Sequence, residues 1–201
     1  MIYIYGDSHG VHSFKNLHLP HVNNSCNSIT MFRIGRDNSI VNFDKNYHNK
    51  DSILCFLYGE IDCRCHIQKQ INTGRNEDDI INELITNYFN TLKNNINIYK
   101  QIIIVGIIPP TLQYDYENLH GPILHEFPFV GTDNDRVRYT IKMNNCIQQY
   151  CIKNNYIYFN PYDYYTRDDG TLKYELSDST VHLGDNSFFL KKFIELYETI
   201  V

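Results

Sequence analysis

The chain has no tryptophan, only three methionines among 201 residues, and no excess of basic charge. Eighteen Lys and Arg against 23 Asp and Glu give a formal net charge of −5, and the basic residues form no block. That balance excludes a general attraction to nucleic-acid phosphates. Long apolar runs are missing too: the longest, "QIIIVGIIPP", ends at two prolines, well short of the ~20 residues a membrane helix needs. Met1 leads directly into an apolar segment without a basic region and cleavage site, so no secretion signal is expected and a cytoplasmic location follows. The six cysteines, Cys26, Cys55, Cys63, Cys65, Cys146 and Cys151, are then expected to be reduced. Their C-x-C-H and C-x4-C spacings do not match the usual zinc patterns, and no metal or cofactor is expected.

What is present suits one globular domain spanning residues 1–201, with 42% apolar and 20% charged residues. Five apolar runs read as strands buried on both faces: Ile2–Tyr5, Ile29–Ile34, Ile53–Tyr58, Ile102–Ile108 and Tyr156–Phe159. Helical periodicity follows in three places. Residues 76–96 carry Ile80, Ile81, Leu84, Ile85, Tyr88 and Leu92 behind an acidic first turn. Residues 136–153 carry Ile141, Ile147, Cys151 and Ile152 as inward candidates, and residues 187–200 carry Phe189, Phe193, Leu196 and Ile200, with Asn186 or Ser187 as cap. Strands alternating with helices predict a three-layer α/β/α sandwich around a mainly parallel five-stranded sheet. Residues 109–135 hold four of the six prolines and read as a long functional loop, in which His120 and His125 are candidates to line a pocket.

Chemistry is expected at the carboxyl ends of the strands. The first run breaks in "YGDSHG": Gly6 permits a tight exit, and Ser8 falls at the start of a helix, where backbone N–H groups can meet a developing oxyanion. A nucleophilic serine needs a base and an orienting carboxylate. "LSDSTVHLGDN", before the last helix, offers His182 and Asp178, four residues apart as on one face of a helical turn. The expectation is a Ser8 Oγ to His182 contact within about 3.5 Å. Taken alone, Gly6-Asp7-Ser8 is equally a capped strand-to-helix turn, Asp178 and His182 are ordinary loop residues, and Glu60, Asp62 and Arg64 are an ion-pair network.

Taken in order, "YGDSHG", the glycine of "FRIGRDN", "YGEIDCR" and "DSTVHL" resemble the four blocks of the SGNH/GDSL hydrolase superfamily. The "GEIDCR" form looks like a subgroup found beside glycan-assembly enzymes. The resemblance implies a flavodoxin-like fold and a Ser-His-Asp triad of Ser8, His182 and Asp178. It places the N–H groups of Ser8 and Gly35 in the oxyanion hole. The activity it implies is removal of a small acyl group, acetyl among them, from a carbohydrate, without a cofactor. Acyl transfer on the same triad, or an inactive glycan-binding protein, are the alternatives.

Two departures from the family pattern stand out. Ile61 occupies the place of an asparagine that would donate to the oxyanion, which makes Arg64 the nearest substitute donor. The Asp-to-His gap is four residues instead of three. Asp7, Glu60, Asp62 and His120 complete the residues expected to face the substrate.

Overall fold

Alternating apolar side chains sort the strands of the sheet between two cores. In the computed structural model, which describes residues 1–96, 98–99, 101–124 and 126–201, five strands form one parallel sheet: β1 (Ile2–Gly6), β2 (His21–Asn23), β3 (Ile53–Leu57), β4 (Gln101–Val105) and β5 (Ile157–Phe159). Their order is β2-β1-β3-β4-β5, the flavodoxin-like arrangement, which reverses direction between β1 and β3. Leu54, Phe56, Ile102 and Ile104 point into one core, while Ile53, Cys55, Leu57, Ile103 and Val105 point into the other, as the period of two requires.

The first core is covered by α2 (Met31–Asp37), α4 (Glu77–Ile96) and α6 (Asp133–Asn154). All six apolar residues expected inward on α4 are buried. On α6, Ile147 and Cys151 are buried, whereas Ile141 and Ile152 are 44% and 68% exposed; Tyr139 and Met143 fill the inward stripe instead. The second core lies under α1 (Ser8–Ser13) and α8 (Ser187–Ile200), where Phe14 meets Phe189 and Phe193 edge-on, each at 4.9 Å between ring centroids. The result is a three-layer α/β/α sandwich. Shorter helices complete it: α3 (Ile67–Ile71), preceded by a π-helical turn at Asp62–His66, α5 (Gln113–His120) and α7 (Tyr162–Tyr165). Among the described residues no helix is long and apolar enough to cross a membrane.

The expected second strand at Ile29–Ile34 is instead the start of α2. Thr30 caps it by accepting from Arg33 N at 3.0 Å, and Asp62 accepts from Met31 N at 2.7 Å and Phe32 N at 3.2 Å. Three of the four orphan N–H groups of a helix start are thereby satisfied, and Met31 and Ile34, three apart, share the buried face. The true β2 is a three-residue edge strand with Val22 and Asn23 exposed.

The cap of α8 also differs from expectation. Asp185 accepts from Ser187 N at 3.0 Å, while the Asn186 side chain donates to the carbonyls of His12, Ser13 and Lys15 at the end of α1. That amide ties together segments from the two ends of the chain.

Candidate active site

The first turn of α1 sets the position of Ser8. Asp7 is extended, continues the β-ladder through its N–H to the Leu57 carbonyl (3.2 Å), and caps α1 by accepting from His9 N at 2.8 Å. Gly6 is required by crowding: a Cβ there would lie 2.8 Å from the Leu57 carbonyl oxygen and 3.1 Å from Gly10 Cα. Ser8 follows as the first helical residue, half-buried, with an N–H that lies outside the helical ladder.

His182 and Asp178 come from a loop between α7 and α8. An antiparallel bridge pairs Ser177 with Leu183, Asp178 N donates to the His182 carbonyl at 3.0 Å, and Ser179 takes a left-handed conformation with φ 69°. The four-residue gap is thus closed across a bridged loop, and the expected helical turn is absent. Asp178 Oδ2 lies 3.3 Å from His182 Nδ1, and His182 Nε2 lies 2.9 Å from Ser8 Oγ. With Nδ1–H directed at a carboxylate, the Nε2 lone pair faces the serine hydroxyl.

Thr180, which sequence reasoning passed over, donates to Asp178 Oδ1 from its hydroxyl (2.5 Å) and its N–H (2.9 Å), and its oxygen is 3.0 Å from His182 Nδ1. Burial alone would raise the Asp178 carboxyl; hydrogen bonds from His182 and Thr180 hold it well below the usual carboxylate range.

Two further histidines pack against His182. His12, on α1, stacks on it at 4.2 Å and 8°, with its Nδ1 3.3 Å from Asp178 Oδ2. His9, 1% exposed, lies 4.7 Å away at 51°. Its Nδ1 is 3.1 Å from Asp7 Oδ1 and its Nε2 is 3.0 Å from the Val181 carbonyl. Burial opposes charge on His9, but Asp7 and Glu60 outweigh it and raise the imidazole above its ordinary value. Neither histidine carries a functional signal in the sequence alone, since nothing local reveals, for example, the Val181 carbonyl 172 residues from His9.

Several residues expected to face the substrate are sealed beneath the site. Asp7 and Asp62 have no exposure and Glu60 has 3%. Asp7 holds α1 and His9, Asp62 caps α2, and Glu60 accepts from Arg64 Nε at 2.8 Å. Burial away from water lifts the Asp62 carboxyl to about 7, against the pull of the two N–H donors.

Arg64 is 7% exposed and also donates to the Phe127 carbonyl, so its guanidinium braces the long loop. Gly35 lies inside α2 with its N–H in the helical ladder, and a Cβ there would come within 2.8 Å of Asn87 Cβ on α4. It serves helix packing; the resemblance places its N–H in the oxyanion hole, but an N–H bonded within α2 is not free to donate there. Ile61 is buried. His120 is exposed at the rim, with Nε2 2.6 Å from the Ser179 carbonyl, and His125 lies outside the described residues.

Among the described residues, metal chemistry has one geometric candidate. His12, Asp178 and His182 offer three ligand atoms within 4.8 Å of one another, but the two rings are parallel to within 8°. An ion shared between stacked rings would sit far from the plane of both nitrogen lone pairs, so the arrangement does not suit one. The six cysteines are free thiols, four of them buried.

No family model matches the chain, and no curated protein matches it. Solved structures do. A GDSL-like lipase from Bacteroides thetaiotaomicron is 11% identical, with 100% of this chain and 88% of that one covered, at a TM-score of 0.62. A variant of an acetyl-xylooligosaccharide esterase from Geobacillus is 11% identical over 100% and 94% of the two chains, at 0.61. An acetyl xylan esterase is 13% identical over 100% of both, at 0.58. At these identities the likeness shows a shared fold. That likeness in fold extends over the whole chain.

Proposed function

We propose that this protein is a serine esterase that removes a small acyl group from a carbohydrate. The observation carrying the reading is the 2.9 Å contact between His182 Nε2 and Ser8 Oγ, with Asp178 behind His182. Ser8 attacks the ester carbonyl as His182 accepts its proton, and His182 returns that proton to the departing sugar alcohol. Water then attacks the acyl-serine as His182 takes its proton. The Ser8 Oγ–acyl bond breaks, and His182 returns the proton to Ser8 Oγ as the carboxylic acid leaves. Asp178 fixes the tautomer and stabilises the imidazolium, as the geometry of such triads requires.

The N–H of Ser8, at the start of α1, is the oxyanion donor this reading retains. Neither Ile61, Gly35 nor Arg64 adds one, and turnover about 10²-fold below that of an esterase with a complete hole is expected. The carbohydrate and acetyl preference rests on the fold shared with acetyl xylan and acetyl-xylooligosaccharide esterases.

The test is acetate release from acetylated xylo-oligosaccharides and from p-nitrophenyl acetate. Both reactions are expected to vanish in Ser8→Ala. Hydrolysis that persists in Ser8→Ala would overturn the reading, and acetate appearing on an added sugar acceptor instead of in solution would redirect it to acyl transfer.

A further inference from the structure

We infer that His9 is a permanently charged imidazolium that clamps the nucleophile turn to the base loop, and so acts as a positioning residue for the Ser8–His182 pair. The positioning part rests on the reading of those two residues as nucleophile and base; the charge does not.

The ring faces an acceptor on each side. Asp7 Oδ1 stands 3.1 Å from Nδ1 and the Val181 carbonyl oxygen 3.0 Å from Nε2, and neither a carboxylate nor a peptide carbonyl has a hydrogen to give. A neutral imidazole would direct one nitrogen lone pair at an oxygen lone pair in a site from which water is excluded. Both nitrogens therefore carry hydrogen, and the ring is a cation.

Charge balance leads to the same state. Asp7, His9, Glu60 and Arg64 are all buried, with Glu60 bonded to Arg64 and its Oε2 3.8 Å from His9 Nε2. Glu60 Oε2 and Asp7 Oδ2 have no hydrogen-bond partner, which is tolerable beside a cation and costly without one. With His9 charged, Asp7 and Glu60 meet the cations His9 and Arg64. Buried Asp62, which both carboxylates raise, adds further negative charge once ionised, while the rings of His182 and His12 also lie near His9. With His9 neutral, the cluster keeps an uncompensated negative charge.

The attachment points give the cluster its purpose. Asp7 immediately precedes Ser8, and Val181 immediately precedes His182. One ring therefore joins the residue before the nucleophile to the residue before its base, Val181, which lies 172 positions from His9 in the sequence. A hydrogen bond from a charged donor is stronger than a neutral one, which suits a contact that must hold Ser8 and His182 at 2.9 Å. Misplacement by about 1 Å can cost on the order of 10² in rate.

The experiment is nitrogen-15 NMR of the histidine rings in the full wild-type chain, assigned through the backbone so that it depends on no variant. His9 is expected to show two protonated ring nitrogens, unchanged from pH 5 to pH 9. A neutral tautomer, or a midpoint within that range, overturns the inference whatever the enzyme does.

The second arm is His9→Gln, which supplies no charge and cannot donate to both acceptors at once. Its kcat for p-nitrophenyl acetate is expected to fall between about 10-fold and 10²-fold with KM within about threefold. A folded His9→Gln protein with wild-type kcat would refute the positioning role. Failure of the esterase reading is distinguishable, since it would appear as no Ser8-dependent turnover in the wild-type protein while the NMR result stands.

Discussion

Replacing Asp178 by asparagine removes one charge from the site and little else, and the size of the effect follows from the geometry. The carboxylate lies 3.3 Å from His182 Nδ1, longer than the ~2.7–2.9 Å of a tight charge-assisted bond. At that separation its attraction for an imidazolium is about 2.5 kcal/mol with an effective dielectric constant of ~40, and about 5 kcal/mol at ~20. The Asp178 side chain is 24% exposed and also contacts His12, which favours the smaller value. At about 1.4 kcal/mol per decade, Asp178→Asn should lower kcat by roughly 10²-fold, with KM nearly unchanged because the charge acts on the transition state. Initial rates with p-nitrophenyl acetate at pH 8, alongside a circular-dichroism melt, make the measurement. A folded Asp178→Asn protein that loses less than about fivefold in kcat would refute the assignment of Asp178 as the partner of His182.

Other variants separate structural from chemical roles. Gly35→Ala forces a methyl group to 2.8 Å from Asn87 Cβ and should cost about 1–3 kcal/mol of stability while leaving kcat within twofold; an unchanged melting temperature with lost activity would return Gly35 to the oxyanion hole. Arg64→Ala leaves Glu60 buried without its partner and should destabilise the protein by roughly 3–5 kcal/mol, so a stable Arg64→Ala variant that lost only turnover would contradict the bracing role.

The pH dependence of stability carries opposite signs at two groups. Asp178 is depressed on folding, so its contribution is present above the unfolded carboxylate value near 4 and is lost as pH falls through the folded value. His9 is raised, so its contribution is full below about 6.5 and is lost as pH climbs through the folded value. Melting temperatures from pH 3 to pH 9 should show a shallower acid limb in Asp178→Asn and a shallower alkaline limb in His9→Gln. Identical profiles in wild type and both variants would contradict these assignments.

The parts of the fold legible in the sequence are those whose signal is local. β3 and β4 are buried on both faces and announce themselves as unbroken apolar runs, and α4 does so by its stripe. β2 carries no such signal, because an edge strand of three residues with two exposed has no apolar run to display. The run Ile29–Ile34 misleads for a different reason: the groups that start α2 there include Asp62, about thirty residues downstream, and no window on the sequence contains both.

The candidate site divides in the same way. Ser8 and His182 are legible from their positions at element boundaries. Thr180 and His12 are not, since a hydroxyl or a ring becomes significant only once its neighbours are known. Asp7, Glu60 and Asp62 are expected from the sequence to face the substrate, whereas the fold buries them. Charge and proximity are visible in sequence, whereas the complete burial that makes these carboxylates a frame is not.

The central claim is that Ser8 is a nucleophile activated by His182, and covalent labelling tests it most directly. Wild-type protein treated with a fluorophosphonate and analysed by peptide mass spectrometry is expected to carry one adduct, on Ser8, absent from Ser8→Ala and formed at least about 10²-fold more slowly in His182→Ala. An unlabelled Ser8 in folded wild-type protein, or an adduct that survives in Ser8→Ala, would contradict the account.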